Sequence, residues 1–443
     1  MNTIDRVGFA GFFLACLFLA FIGGTLIVLT QVFPYQHIND AYKAAHALIA
    51  QGAIDDRYTQ TDQWRLARTT ERGTTIHDPE RAYNGYTLYT SGGGAYASLI
   101  DMDGREVHRW ALPFSQVWDT NPSGRAARSD DLIYWRKAIM YPDGDLLAMY
   151  IAAGDTPWGY GLVRLDADSN VIWRYKGATH HDIDIAPDGR VITLTHEFSY
   201  REFPDFPTLA RPWLNDFLVV LDGDTGEEQR RISLFDAFYD SRFRPLVTAI
   251  PSFAVEDPLH TNSVQYIDQG LADRFGPAKG RGNQVLLSFR HPGAPGLVDL
   301  DSGQMTWATR GSWLGQHFAR ALPNGNFTLF DNIGNFEPGN TTRLLEVDPG
   351  NDEIAWRYQG TRDQPFESRL RGANTILPNG NHLVTESDGG RLFEVTPEGE
   401  IVWEFVNPVR EGDRDQYIPV VSSGQRIKPD ALDPAFRARL NTP

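Results

Sequence analysis

The chain has 443 residues, enough to bury a large core, with aromatics at 12% and a formal net charge of −16. That acidity argues against nucleic acid as a partner, since nucleic-acid binders carry basic footprints, and it requires any anionic substrate to be held by a local cluster of cations. Plentiful Gly and Pro with few long helical periods predict an all-β protein, and a single cysteine, Cys16, excludes an intrachain disulfide.

From Val7 to Phe33 no side chain is charged, and a run of 27 residues suffices to cross a bilayer. It extends past the apolar region of a secretory signal, and the triplet before Cys16 is a poor lipoprotein signal. Residues 1–37 are therefore expected to form an uncleaved transmembrane anchor. Arg6 precedes it, so the positive-inside tendency puts the rest of the chain on the periplasmic or extracytoplasmic side. Asn39–Gln51 reads as a juxtamembrane helix, followed by polar linker, and together these make a segment over 38–84.

A repeat then begins. Six stretches have an apolar strand, an acidic or Gly-containing turn and a strand often bearing Trp, for example "GLVRLDADSNVIWRYKG" and "RLFEVTPEGEIVWEFVNP". Between them a second hairpin type appears five times, as in "HHDIDIAPDGR", "QHFARALPNGN" and "RGANTILPNGN". Paired hairpins make four-stranded antiparallel blades, so the count predicts a six-bladed β-propeller over 85–425. The missing hairpin is expected from both chain ends, Gly85–Ser91 with Tyr417–Ser423, leaving a C-terminal tail over 426–443. A double β-sandwich is the competing architecture, though it needs no fixed repeat. The outer-hairpin tryptophans Trp110, Trp173, Trp307, Trp356 and Trp403 should pack between blades.

Aligning the first strands on their turns puts His317 six residues before Pro323, His181 six before Pro187 and His260 six before Tyr266. Arg136 and Gly372, next to Lys137 and Arg371, hold that register in the other two. First strands line a propeller's channel, so equal registers converge around the axis. Strand ends nearby add Arg290, Asn332 and Glu386, and Asn262 lies two residues after His260. His180 should point away from His181, while His196, His291 and His382 read as hydrogen-bonded surface or turn residues.

Three imidazoles with an open position suit zinc, which would make a metal-dependent hydrolase or oxidoreductase. Arg290 repels a cation and instead suits an oxyanion, gripped by a guanidinium fork while imidazole attacks or protonates. The segments "HHDID", "HTNSV", "SFRHPG" and "GQHFARALPNGNFTLFDN" resemble the bacterial arylsulfate sulfotransferases over about Tyr86 to Pro408. That resemblance implies sulfuryl transfer from an aryl sulfate to a phenolic acceptor, with no nucleotide donor, cofactor or metal. It implies that His317 is sulfated, and that His260, Arg290 and His181 grip the sulfuryl oxygens and shuttle the phenolic proton. Asn262, Arg371, Glu386 and Asn332 are expected to contact substrate. The anchor, the short N-terminal region and the lack of a disulfide depart from secreted members. The rival expectation is a non-catalytic, membrane-anchored propeller serving a membrane complex, with the apolar loop Arg242–Leu259 as partner surface; a homo-oligomer is a further option.

Overall fold

The computed structural model describes residues 3–35, 37–39, 41, 54, 56–337 and 341–440. It divides into two compact units, residues 1–55 and 56–443. The first contains the helix Thr3–Thr30, of which Gly11–Thr30 is long and apolar enough to cross a membrane. Its 28 residues extend about 42 Å, longer than a hydrocarbon core of about 30 Å. Phe12, Phe18 and Leu29 on it are exposed, as lipid-facing side chains are. The expected juxtamembrane helix falls, Asn39 and Ala41 apart, outside the described residues.

The second unit is a six-bladed β-propeller of antiparallel blades among the described residues. Taken from the channel outward, blade two is Ile133–Met140, Leu146–Ala152, Gly159–Leu165 and Val171–Tyr175. Blade three is Thr179–Ile185, Val191–Ser199, Trp213–Leu221 and Glu228–Ser233. Blade four runs from Thr261–Ile267 to Met305–Ala308, and blade five from His317–Ala321 to Ile354–Gln359. Second strands such as Leu146–Ala152 and Gln284–Phe289 are buried at every position, because neighbouring blades cover both faces. Outermost strands such as Glu228–Ser233 are mostly exposed and charged.

Blade one closes the ring, with a correction to the expected strand. Val421–Ile427, not Tyr417–Ser423, pairs with Tyr86–Ser91 as the innermost strand. Pro419 has no N–H and cannot serve a continuous inner strand, so Tyr417–Pro419 instead forms a short pair with Trp64–Leu66. The domain limits shift as well. The propeller unit starts at Asp56, and Gly73–His77, inside the expected linker, is a fifth strand on blade six beside Ile401–Val406. The expected tail belongs to the fold as well: Arg426 and Ile427 lie in the closing strand, and Phe436 packs against His108 and Trp110.

Outer tryptophans join the blades in sequence. Trp110 donates to Gly144 O (3.0 Å), Trp173 to Gly223 O (2.9 Å), Trp356 to Pro397 O (2.8 Å) and Trp403 to Met102 O (2.9 Å). Each indole thus buries its apolar face and satisfies its one donor on a turn of the next blade.

His382 is buried rather than a surface residue. Its ring stacks on Trp356 (4.1 Å, 7°), Nδ1 meets Asn374 Oδ1 at 3.0 Å, and burial pushes its pKa down to about 4. The native state therefore holds His382 neutral while the unfolded chain takes up a proton below about pH 6.5. Stability from this group is complete above that pH and is lost as pH falls toward 4, by about 2 kcal/mol at pH 5. The thermal midpoint of His382→Gln should consequently fall less steeply between pH 7 and pH 5 than that of the wild type, as read by circular dichroism.

Candidate functional site

The site is built on a ring of irregularities in the inner strands. In blade three pairing skips from His180 to Ile183, in blade four from Thr261 to Ser263, and in blade five from His317 to Arg320. Blades two and one skip at Arg136 and Ser422. Such bulges re-aim side chains and free backbone groups next to functional sites. Left-handed φ values accompany them at His181 (63°), His260 (45°), Phe318 (56°) and Arg371 (60°). A non-glycine residue there costs about 1–3 kcal/mol, so the surrounding sheet must impose it.

The result is a cavity of about 270 Å³ whose wall includes His181, His260, His317, Arg290, Arg136 and Arg371. Ring centroids of His181 and His260 are 5.0 Å apart, and those of His181 and His317 are 6.5 Å apart. Trp158 and Tyr134 add an aromatic side. A second cavity of about 310 Å³ continues the channel and shares Arg136, His181 and His317. Its floor holds Asp182, paired with both Lys137 and Arg320.

His317 is held in one tautomer. Nδ1 lies 2.8 Å from Asn332 Oδ1 and 3.1 Å from Gly315 O. Asn332 Nδ2 donates to Ser368 O and Arg371 O, both at 2.7 Å, so its oxygen is the atom that faces the imidazole. Two acceptors require Nδ1 to carry the proton, leaving the lone pair on Nε2. Burial, and then the Arg290 charge, hold the His317 pKa well below its ordinary value, so the ring is neutral.

His260 is oriented by Asp257, whose carboxylate bonds its Nδ1 and whose other oxygen accepts from its backbone N–H at 3.2 Å. Burial raises the Asp257 carboxyl, but the His260 charge and hydrogen bond prevail and keep it below its usual range. The His291 ring lies 4.9 Å from His260, with Nδ1 on Asp257 O (2.6 Å) and Nε2 accepting from Arg290 Nη1 (3.1 Å). His291 is thus a hydrogen-bonded turn residue behind His260 and Arg290, as the sequence suggests; burial and then His260 push its pKa down to about 4.

The cations differ in how they are neutralised. Arg371 is committed to Asp62 and to the Tyr134 hydroxyl (2.6 Å). Arg136 donates to Ser422 O (2.7 Å), and neither Arg136 nor Arg290 has a carboxylate partner among the described residues. Burial and then Arg371 lower the Arg136 pKa to about 10, and Arg290 Nε has no hydrogen-bond partner among the described residues. Two guanidinium groups thus face one small cavity with no carboxylate in ion-pair contact with either among the described residues, although Asp62 and Asp155 also line it.

The remaining expected contacts take other places. Asn332 stands behind His317 and positions it. Asn262 lines the second cavity, with Nδ2 on Gln316 O (2.8 Å). Glu386 is corrected from a substrate contact to a structural anion: fully buried, it pairs with Arg68 and Arg391 and accepts Glu367 N (2.9 Å). His180 does not point away from His181, since their Nδ1 atoms are 2.7 Å apart; the bulge undoes the alternation that the sequence pattern assumes. His196, expected at the surface, is buried 4.5 Å from Trp158 between ring centroids. Arg136 stood at the right register, but nothing in the sequence marks it as unpaired. Asp257 and Tyr134 carry no local motif.

No curated protein matches the chain. Among solved structures, a protein of unknown function from Bacteroides caccae aligns at 12% identity with a TM-score of 0.48, over 76% of this chain and 99% of that one. Virginiamycin B lyase from Staphylococcus aureus, crystallised in catalytically inactive form with quinupristin, aligns at 12% identity with a TM-score of 0.39, over 78% and 88%. Residues 137–408, more than half of the chain and the part that carries His181, His260, Arg290 and His317, match the Arylsulfotransferase (ASST) family, and the chain belongs to it.

Proposed function

We propose that the protein moves a sulfuryl group from an aryl sulfate to a phenol through a sulfohistidine at His317, with its propeller on the extracytoplasmic side of the membrane. One observation carries the reading: two guanidinium groups without carboxylate partners share a cavity with a neutral imidazole whose free lone pair is on Nε2. A tetrahedral sulfate monoester supplies the missing negative charge and an electrophilic centre. Trp158 and Tyr134 suit its aryl group, since an aromatic wall buries a ring at little polar cost.

In the first half-reaction His317 Nε2 forms a bond to sulfur as the bond from sulfur to the phenolic oxygen breaks. Arg136, Arg290 and His181 hold the sulfuryl oxygens in place before reaction, so little reorganisation is needed. The departing oxygen takes a proton from His260, whose imidazolium the Asp257 carboxylate stabilises. In the second half-reaction an acceptor phenol returns that proton to His260 as its oxygen attacks sulfur, restoring His317. Kinetics should be ping-pong.

Mass spectrometry after mixing with 4-nitrophenyl sulfate should find one SO₃ added to the His317 peptide. His317→Asn should lose both the adduct and at least about 1,000-fold in kcat. An unmodified peptide in an enzyme that still turns over overturns the assignment.

His260→Asn should lose about 100-fold with an unactivated phenyl sulfate but much less with 4-nitrophenyl sulfate, whose leaving group needs no proton. Equal losses would remove His260 from the role of acid.

Because His317 stays neutral below its ordinary pKa, the adduct-forming rate should not begin to fall as pH drops through 6.5. Arg290→Ala removes a charge that holds the ring neutral, so its acid limb should move up in pH, beside a loss of about 100-fold in kcat/KM. A pH profile of the rapid-quench burst reads both.

A further inference from the structure

Behind the cavity, three adjacent strands of blade three put His180, His196 and Asp216 on one face. His196 lies directly opposite Asp216, and His180 opposite Leu194, two residues before His196 and therefore on its side of the sheet. All three are 1% exposed. Neither nitrogen of His196 has a hydrogen-bond partner among the described residues, and Nε2 of His180 has only a long contact of 3.4 Å to Asp216 Oδ1. Buried polar atoms are nearly always partnered, so a buried imidazole with both nitrogens open beside these two calls for something between them.

We propose that His180, His196 and Asp216 bind a divalent transition-metal ion, with zinc the best fit to the donors. Two imidazoles and a carboxylate are a zinc ligand set, with water as the fourth ligand. Ligands about 2.1 Å from zinc at tetrahedral corners stand about 3.4 Å apart. His180 Nε2 and Asp216 Oδ1 are 3.4 Å apart, and the three donor atoms lie within 4.8 Å of one another. Asp216 keeps its other oxygen on Thr261 N (2.8 Å), which anchors the carboxylate as outer-shell bonds do at metal sites. Asp257 is close enough to feel the charge of Asp216, so a second carboxylate helps neutralise a dication. The neighbouring group Asp257, His260 and His291 makes the contrast, because Nδ1 of His260 and both nitrogens of His291 are taken up by hydrogen bonds to Asp257 and Arg290.

The ion has a consequence for the cavity, which rests on the transfer reaction proposed above. Metal on His180 Nε2 leaves its proton on Nδ1, which donates across 2.7 Å to His181 Nδ1. His181 then carries its own proton on Nε2 and serves as a donor to anion oxygens, leaving acid–base work to His260.

The full chain, purified in detergent without chelator and freed of any affinity tag, should hold about one metal ion by elemental analysis. His196→Gln and Asp216→Asn should lose it, while His317→Asn should keep it. Equal metal in wild type and His196→Gln overturns the site, as does wild type with none that takes none up. If the variants do not fold, chelator-stripped wild type titrated with cobalt(II) should develop the intense visible bands of tetrahedral cobalt and a higher thermal midpoint. Absence of both overturns the proposal. Loss of the metal site leaves the SO₃ adduct on His317 standing, so the two proposals fail separately.

Discussion

Everything at the cavity follows from a shared break in pairing on the inner strands. A regular strand alternates its side chains, so six regular inner strands would present only every second residue to the channel. The bulges at Arg136, Asn262, Phe318 and Ser422 give four of these strands one extra residue, and that at His181 and Asp182 gives a fifth strand two. That is how a narrow channel collects several imidazoles and guanidinium groups at one depth. The backbone pays in left-handed residues, and the flanking sheets, buried on both faces, are stiff enough to hold them.

The electrostatics have the same origin. Charges crowded into a small, partly dry space repel one another, and the molecule resolves this differently at different depths. Below the histidines, Asp182 neutralises Lys137 and Arg320. On the cavity wall Asp62 answers Arg371. Arg136 and Arg290 have no carboxylate in ion-pair contact among the described residues, and burial keeps His317 and His181 neutral. The cavity therefore sets two guanidinium groups beside a neutral His317 whose Nε2 is unprotonated, the combination on which the proposed function rests.

Much of this was legible in the chain. The turns after the inner strands are regular, so a constant offset from Pro187 and Pro323 found His181 and His317, and the same spacing found His260. Strand counting found the blades for a similar reason, since Asp-Gly and Asn-Gly turns punctuate the hairpins. What stayed hidden depends on long-range pairing. Glu386 meets Arg68, 318 residues away, and no local pattern reveals that it is occupied. Asn332 reads as a strand-end polar group, yet its amide is spent on fixing His317 and on two carbonyls of the following loop. His180 departs from its pattern because alternation fails at a bulge, and bulges carry no sequence signature. Pro419 was a visible warning that the closing strand begins later.

The closing strand also ties completion of the ring to readiness of the cavity. Arg136 is oriented by the carbonyl of Ser422, which is made after every strand of blades two to six. A nascent chain that has finished those blades still has an open seam and a guanidinium with nothing to aim it. The orientation of Arg136 on the cavity wall therefore belongs to the closed ring and is set by the strand Val421–Ile427, the last of the propeller to be made.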